Sequence, residues 1–450
     1  MSVNLLFNDF MPVSAKAWKQ KIQMDLKGAD YNDILLSNTN EGITIKPFYH
    51  HDTLKKLAIP AVASDTKICQ TIFIANEKKA NGIAKEASQK GANIIRFIAD
   101  KPFNYSELFS GLNNVEITVV FHFLEEEFLN KFIDFSIDYK IHLTIDVINH
   151  FTSDGNWYNS QESDFKLLKS IQVNNKNTSI LGVDSSLYQK SGANIVQQIA
   201  YTLAHVNEYF NAGLVLDKSV LSVTFSVGSN YFFEISKIRA FRYLFKKLAT
   251  EYNLDIQPNI TIEPTTRNKT IYDYNVNLLR TTTECMSGIL GGADIVNNNA
   301  YDAIYHRSNP FGSRIARNQL LILKEESYFK NNKEIAKGSY YIEQLTYGIA
   351  EKALAIFKGI EKNGGFIAQL EKGVIQRKIE ESAQKEQAQF DSGTLVLLGT
   401  NKYPNENDIM KDDLELYPFV KTKVRKTIIK PIIPKRLSEK HEMNRLKGEK

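Results

Sequence analysis

The feature that most constrains the fold of this chain is a repeated alternation of short apolar runs with longer helical segments. Most of the runs are continuously apolar and rich in β-branched residues, as parallel strands buried on both faces are. Eight such units favour an α/β protein built as a (β/α)8 TIM barrel, and an open doubly wound sheet is the alternative. The eight predicted strands are residues 71–75, 93–99, 116–123, 141–148, 179–184, 221–228, 259–264 and 292–298.

The segments on either side of this pattern predict a division of the chain into four parts. These are an N-terminal arm (1–68), the barrel (69–330), a helical extension (331–403) and a basic C-terminal tail or linker (404–450). The extension contains two amphipathic helical stretches and one further predicted strand at 394–403. The last part is polar and then basic, so we expect a solvated tail on an acidic partner surface rather than a packed domain.

Composition limits the classes of protein that fit. The formal charge of +5 is small for 450 residues, and few aromatic residues accompany the basic tail, so a nucleic-acid site is not predicted. Cys69 and Cys285 are far apart and favour a reducing compartment over a disulfide framework. No apolar run is long enough to span a bilayer, and the N-terminus lacks a signal-peptide pattern. We therefore expect a cytoplasmic protein that does not associate with membranes.

Motifs of familiar enzyme chemistry are missing from the sequence. It contains no GxSxG, HExxH, P-loop, CxxC or GxGxxG segment, and neither cysteine has a neighbour at zinc-ligand spacing, so no metal site is predicted. The most unusual segment is RIARNQLLILKEES, where Arg314 and Arg317 open a predicted helix. One interpretation is an anion-binding helix start. The other, favoured on the residues alone, is a buried helix whose ends are held by hydrogen bonds and ion pairs.

Several segments resemble the methylmalonyl-CoA mutase family. They are NLLRTTTECMSGILGGADIVNNNAYDA, FGSRIARNQLLILKEES, GSYYIEQLT and FDSGTLVLLGTNKY, together with GADYNDILLSNTNEGITIKPFY, which resembles the family's N-terminal arm. The matches touch most of residues 10–405. The resemblance implies a TIM barrel and an isomerase reaction, in which an adenosylcobalamin radical moves a thioester group between adjacent carbons of an acyl-CoA.

The family contains catalytic chains, which bind acyl-CoA along the barrel axis, and small subunits with a degenerate barrel. In catalytic chains a Tyr-His pair stands shortly before a Gly-Ala step, and aligning Gly192 and Ala193 places Ser186 and Leu187 at those positions. A leucine can neither donate a hydrogen bond to the migrating carbonyl nor act as an acid. The family's Arg-Pro-Trp-rich insertion and its substrate-contacting stretch after strand 7 are also not recognisable.

The resemblance therefore implies a small, non-catalytic subunit of an adenosylcobalamin-dependent methylmalonyl-CoA mutase. Its expected partner is the large catalytic subunit, which in a heterodimer would bind the cofactor and interconvert (R)-methylmalonyl-CoA and succinyl-CoA in propionate metabolism. No Asp-x-His-x-x-Gly segment is present to coordinate cobalt, so we expect no cofactor-binding residue in this chain.

Two alternatives remain open at this point. The first is an autonomous acyl-CoA mutase barrel that pairs with a separate cobalamin subunit. The second is a regulatory CoA-binding module, in which Arg267, Arg314 and Arg317 would hold a CoA phosphate without any reaction.

Overall fold

The computed structural model describes residues 10–62, 65–137, 139–174, 180–215, 220–331, 334–422 and 424–449. Two short antiparallel strands come first, β1 (Ser37–Asn38) and β2 (Thr44–Ile45). Eight parallel strands follow: β3 (Lys67–Phe73), β4 (Ile94–Ala99), β5 (Glu116–Phe121), β6 (Ile141–Ile145), β7 (Gly182–Asp184), β8 (Leu221–Val227), β9 (Pro258–Pro264) and β10 (Ile295–Asn297).

These eight strands form a barrel in which neighbours in sequence are neighbours in space. The first strand, β3, pairs with the last, β10, where Ile68 lies opposite Val296. A parallel bridge between Ile145 and Leu181 joins β6 to β7 and completes the ring. The predicted (β/α)8 barrel is confirmed, and a strand overlaps each of the eight predicted runs. The first strand begins earlier than predicted, at Lys67, and the fourth ends earlier, at Ile145. Residue 179, the predicted start of the fifth strand, lies outside the described residues.

Helices surround the barrel and extend it at both ends of the chain. They are α1 (Ala15–Asp25), α2 (Tyr31–Leu35), α3 (Glu77–Gln89), α4 (Tyr105–Phe109), α5 (Glu126–Ser136), α6 (Val147–Asp154), α7 (Gln161–Asn174), α8 (Ser186–Lys190), α9 (Ile195–Asn211), α10 (Tyr231–Glu251), α11 (Val276–Leu290), α12 (Pro310–Leu321), α13 (Tyr340–Lys362), α14 (Phe366–Glu371), α15 (Val374–Asp391) and α16 (Glu439–Gly448). Short 3-10 turns occupy His51–Thr53 and Phe329–Asn331, and a π-helical turn, Ile322–Glu326, continues α12.

Side chains on each strand alternate between the surrounding helices and the barrel axis. On β4, Phe97 faces outwards, and its ring lies 5.7 Å from the ring of Phe109 on α4. The next residue back, Arg96, faces the axis and reaches Glu263 on β9. The outer faces of the strands therefore build the apolar core with the helices, and the inner faces place polar groups along the axis.

The prediction of a further strand at 394–403 is wrong. Only Leu398 and Lys402 form a bridge there, and the backbone turns tightly at Gly399, whose φ of +74° is a left-handed value. The side chain of Asn401 accepts the backbone N–H of Leu397 at 2.7 Å. These local bonds satisfy groups that a strand would have offered to a neighbour, so the apolar run forms a turn instead.

The prediction of a solvated C-terminal tail is also wrong, because the C-terminal segment (residues 404–449) packs against the barrel. Ile429 and Ile432 are 4% exposed and belong to the main apolar core. Arg436 and Glu442 form a buried ion pair at 2.6 Å. The prediction followed the basic composition of the segment and overlooked the few apolar side chains that pack against the barrel. The boundaries of the four parts themselves stay a prediction.

The acidic surface under this segment belongs to the same chain. Arg425 pairs with Asp154 at the end of α6, and Lys430 pairs with Glu380 on α15. The positive charges that had suggested an acidic partner are therefore partly matched within the molecule. Among the described residues no helix is long and apolar enough to cross a membrane.

Candidate functional site

A cluster of charged side chains crosses the barrel axis near the carboxyl ends of the strands. Glu263 on β9 accepts hydrogen bonds from Arg96 of β4 at 2.7 Å and from Lys190 of α8 at 2.6 Å. Strands β4 and β9 lie three positions apart around the ring, so these bonds run across the interior rather than along one wall. We call Arg96, Lys190 and Glu263 the axial cluster.

Neutral polar groups extend the axial cluster to both walls. Arg96 donates through Nε to the Thr71 hydroxyl at 2.8 Å, and Thr71 donates to Oδ1 of Asn297 on β10 at 2.9 Å. On the other side, the ammonium of Lys190 donates to the Ser186 hydroxyl at 3.1 Å. A continuous chain of hydrogen bonds thus joins β10 to α8 across the axis.

The electrostatics keep the axial cluster ionised. Burial alone would raise the pKa of Glu263, but Lys190 and Arg96 together lower it to about 2. The same carboxylate raises the pKa values of Lys190 and Arg96 against the opposing effect of burial. Nearby, burial raises the pKa of Asp184, which the charge of Lys190 only partly offsets. A buried charged cluster with this many hydrogen bonds is rigid, and separating its charges is strongly unfavourable in free energy.

Ser186 and Leu187 lie on α8, directly beside the axial cluster. Both are buried, at 3% and 6% exposure. Ser186 accepts the bond from Lys190, and Leu187 packs in the main apolar core. The position where catalytic relatives are expected to carry a histidine therefore holds a side chain without any group for proton transfer or hydrogen bonding.

A buried network that the sequence analysis missed fixes the orientation of α8. The Tyr188 hydroxyl lies 2.9 Å from Nδ1 of His205, and the other ring nitrogen lies 2.9 Å from Asp146. Asp146 also accepts from the Tyr209 hydroxyl at 2.8 Å and from the backbone N–H of Asp184. His205 is 0% exposed. In the sequence, the sign of this network is Asp146, which caps α6 directly after strand β6.

A cavity of about 360 Å³ lies beside the axial cluster at the same end of the barrel. Its walls come from the β1–β2 hairpin, the start of α9, the loops after β8 and β9, and α15. Arg267 lies in this wall, but its guanidinium is bound to Glu386 at 2.6 Å and to the carbonyl of Lys435 at 2.7 Å. This arginine therefore joins the barrel to α15 and to the C-terminal segment.

The other two candidate arginines lie on α12. Arg317 is 5% exposed and donates to Gln70 of β3 at 2.6 Å, and burial lowers its pKa. Arg314 is exposed, with its guanidinium 5.6 Å from the centre of the Phe311 ring. Arg267 thus contacts the C-terminal segment, whereas Arg317 contacts β3. A shared phosphate site for the three arginines stays a prediction.

The histidines at the strand ends have local partners. His122 lies 2.8 Å from Asp100, and His150 stacks on the Tyr158 ring at 3.6 Å. Burial lowers the pKa of His150. Neither residue contacts the axial cluster.

Fold and site together define a TIM-barrel protein whose axis is crossed by charged side chains at the end where such barrels place their active sites. The family model described as methylmalonyl-CoA mutase matches residues 140–445. The chain belongs to the methylmalonyl-CoA mutase family.

Individual relatives add detail. The methylmalonyl-CoA mutase small subunit of Porphyromonas gingivalis is 31% identical, over 91% of this chain and 73% of its own length. The methylmalonyl-CoA mutase large subunit of Propionibacterium freudenreichii subsp. shermanii is 33% identical, but the match spans 51% of this chain and only 33% of the relative. A truncated 3-deoxy-D-arabino-heptulosonate 7-phosphate synthase from Thermotoga maritima matches at a TM-score of 0.36 and 11% identity, over 62% of this chain and 94% of that structure.

Proposed function

We propose that this chain is the small, non-catalytic subunit of an adenosylcobalamin-dependent methylmalonyl-CoA mutase. In this proposal it supports a large catalytic subunit that interconverts (R)-methylmalonyl-CoA and succinyl-CoA, and it is not itself catalytic. The likeness to a small subunit along 91% of the chain supports the pairing. The expected location is the cytoplasm.

The observation that carries the proposal is the axial cluster. Catalytic members of the family are expected to bind acyl-CoA along the barrel axis, so the axis must admit an extended ligand. Here Arg96, Glu263 and Lys190 bridge it with bonds of 2.6 and 2.7 Å. Opening this path would separate buried charges from their partners, which is strongly unfavourable. The geometry therefore favours a structural role for the barrel.

Donors at this site are either missing or already bound. Thioester migration needs a donor that stabilises the developing charge on the carbonyl. Leu187 offers no such group, and the cationic donors Arg96 and Lys190 are bound to Glu263. The phenol of Tyr188, on the same helix α8, is bound to His205 inside the protein.

The buried histidine at this end of the barrel does not fit a cobalt ligand. His205, the most deeply buried histidine near this end of the barrel, has both ring nitrogens engaged, by Tyr188 and by Asp146. It cannot coordinate cobalt without breaking that network. We therefore place adenosylcobalamin in the partner subunit and derive no step through it in this chain.

The N-terminal arm supplies a surface for the partner in this proposal. Helix α1 has no buried residue. Met24 on α1 is 75% exposed, and Ile34 on α2 is 60% exposed. We take these two exposed apolar side chains as candidate contacts for another protein. We infer that the arm lies along the large subunit.

Two assays test the non-catalytic role. Calorimetry of the purified chain with millimolar CoA is expected to show no heat of binding. Incubation with methylmalonyl-CoA, adenosylcobalamin and an isolated cobalamin-binding domain is expected to give no succinyl-CoA. Tight CoA binding would favour the regulatory module, and turnover would favour the autonomous mutase barrel; either result would contradict the proposal.

A further inference from the structure

In the part of the N-terminal arm at residues 50–53, which we call the root of the arm, the ligand atoms of two histidines and an aspartate lie close together. Oδ1 of Asp52 lies 3.2 Å from Nδ1 of His50 and 3.2 Å from Nε2 of His51. Ligand atoms of the three side chains all lie within 4.8 Å of one another. The cluster lies just before the barrel, in the 3-10 turn His51–Thr53.

These distances fit the geometry of a bound transition-metal ion. Imidazole nitrogens and carboxylate oxygens bind zinc at about 2.0–2.2 Å, which places neighbouring ligand atoms of a tetrahedral site about 3.3 to 3.6 Å apart. The two edges that meet at Asp52, at 3.2 Å each, are close to this length. The remaining edge, between the two histidines, can close by rotation of His51, whose side chain is 70% exposed.

The chemistry of the donor set selects the kind of metal. Two imidazoles with one carboxylate suit zinc, copper, nickel, cobalt and iron rather than magnesium or calcium, which prefer oxygen ligands. His50 is the more enclosed ligand, with a side chain 15% exposed, whereas His51 faces solvent. Water can complete the coordination on the exposed side. A metal at Nδ1 of His50 would replace a long hydrogen bond of 3.3 Å from the backbone N–H of Asp52.

The same turn also holds the first helix of the arm, α1. The second carboxylate oxygen of Asp52 accepts the backbone N–H of Ala15, the first residue of α1, at 2.9 Å. The Trp18 ring of α1 stacks on Phe48 with ring centres 4.6 Å apart, and its edge meets His50. Helix α1 has no buried residue. Asp52 is therefore shared between the arm helix and the candidate metal ligands.

We propose that His50, His51 and Asp52 form a binding site for a divalent first-row transition metal, with zinc as the representative ion, and that the metal fixes the root of the N-terminal arm. Binding joins the turn and the start of α1 through one carboxylate, so the metal restrains the arm without contacting the barrel axis. The site is independent of whether the barrel is catalytic.

The test is to titrate the full chain, without an affinity tag, with zinc and to measure the heat of binding by calorimetry. Wild type is expected to bind one zinc ion at this site, and His51→Ala and Asp52→Asn are each expected to weaken that binding at least about tenfold. His122→Ala is the matched control, because His122 is an exposed histidine with an aspartate partner but belongs to no group of three possible metal ligands among the described residues. The control is expected to bind as wild type does.

A second measurement tests whether zinc protects helix α1 of the arm from proteolysis. Zinc is expected to slow tryptic cleavage at Lys16, Lys19 and Lys21 of α1 in wild type and in the control, and to leave cleavage of His51→Ala unchanged. Asp52→Asn keeps an oxygen for the N–H of Ala15, so it separates loss of the metal from loss of the helix cap. Equal zinc affinity in wild type and His51→Ala, or zinc protection that persists in His51→Ala, would overturn the proposal.

Discussion

The two ends of the chain contact the barrel in opposite ways. The C-terminal segment buries apolar and charged side chains, among them Ile432, Leu437 and Arg436 at 3–5% exposure. The first helix of the N-terminal arm buries none and relies on a ring stack, a helix cap and a few polar contacts. A segment that is stable on its own barrel has no need of a partner. The arm, in contrast, leaves apolar area for one.

Composition alone gave a different impression of the C-terminal segment. Its basic residues have the polar character of a solvated tail. Whether a terminal segment is buried depends on whether its apolar residues face a complementary apolar surface of the protein. The four predictions below test this contrast, from the largest expected change in stability to the smallest.

The largest effect is expected from Arg436→Ala in the C-terminal segment. This change leaves Glu442, which is 2% exposed, as an unpaired buried carboxylate, and removes a donor to the carbonyl of Lys269. The free energy of unfolding should fall by about 3–5 kcal/mol. Urea denaturation measures this, with Lys430→Ala, an exposed pair with Glu380, as the control that should change little. Equal stability of both variants would show that the segment is not docked.

Ile432→Ala is the next test, because it removes apolar contacts from the same segment without touching a charge. Ile432 is 4% exposed in the main core. Its truncation should lower the free energy of unfolding by about 2–4 kcal/mol. Ile428→Ala provides a control at a residue that is 62% exposed and should change stability by less than about 0.5 kcal/mol. A loss at position 428 as large as that at 432 would contradict the described packing.

The pair of Arg425 and Asp154 should contribute a small stabilisation that depends on pH. Its guanidinium donates to the Asp154 carboxylate and lowers the pKa of that carboxyl. Stability from a lowered carboxyl pKa is present above the unfolded value of about 3.9 and is lost as the pH falls through the folded value. Because both groups are partly exposed, Arg425→Ala should cost less than about 1 kcal/mol at pH 6 and close to nothing near pH 2. Urea denaturation of both proteins at the two pH values measures this, and a difference that grows in acid would reject the assignment.

The smallest change in stability is expected in the arm. Met24→Ser and Ile34→Ser replace exposed apolar side chains and should alter the free energy of unfolding by less than about 0.5 kcal/mol. In the proposed heterodimer the same changes should weaken binding to the large subunit at least about tenfold, because they remove apolar contacts from the interface. Denaturation and a binding assay on the same samples separate the two effects. Unchanged affinity would exclude these two residues from the interface.

The barrel itself could be predicted because eight β-branched runs and their helices carry the signal locally. The equivalence of Ser186 and Leu187 to the family's Tyr-His pair rests on the Gly-Ala step at Gly192 and stays a prediction; the structure shows that both lie on α8. The axial cluster could not be predicted, since Arg96 and Glu263 are far apart in sequence and meet only when the ring closes. A lone arginine in a predicted strand gives no indication of its partner.

The same reasoning explains the errors at the C-terminal end. The run at 394–403 has strand-like composition, but Asn401 caps its backbone and Gly399 allows the turn. The ion pair of Arg436 with Glu442 joins residues close in sequence, yet its burial depends on the barrel surface below it. Composition reports solvent preference on average, whereas burial depends on a few side chains and their neighbours.

The central claim is that this barrel works as a structural partner of a catalytic mutase subunit. The most direct measurement is affinity purification of the tagged chain from an extract of its native cells, followed by mass spectrometry and quantification of each chain. The account predicts recovery of a larger mutase-family chain that carries a cobalamin-binding domain, in a 1:1 ratio with this one. Recovery of this chain alone would contradict it.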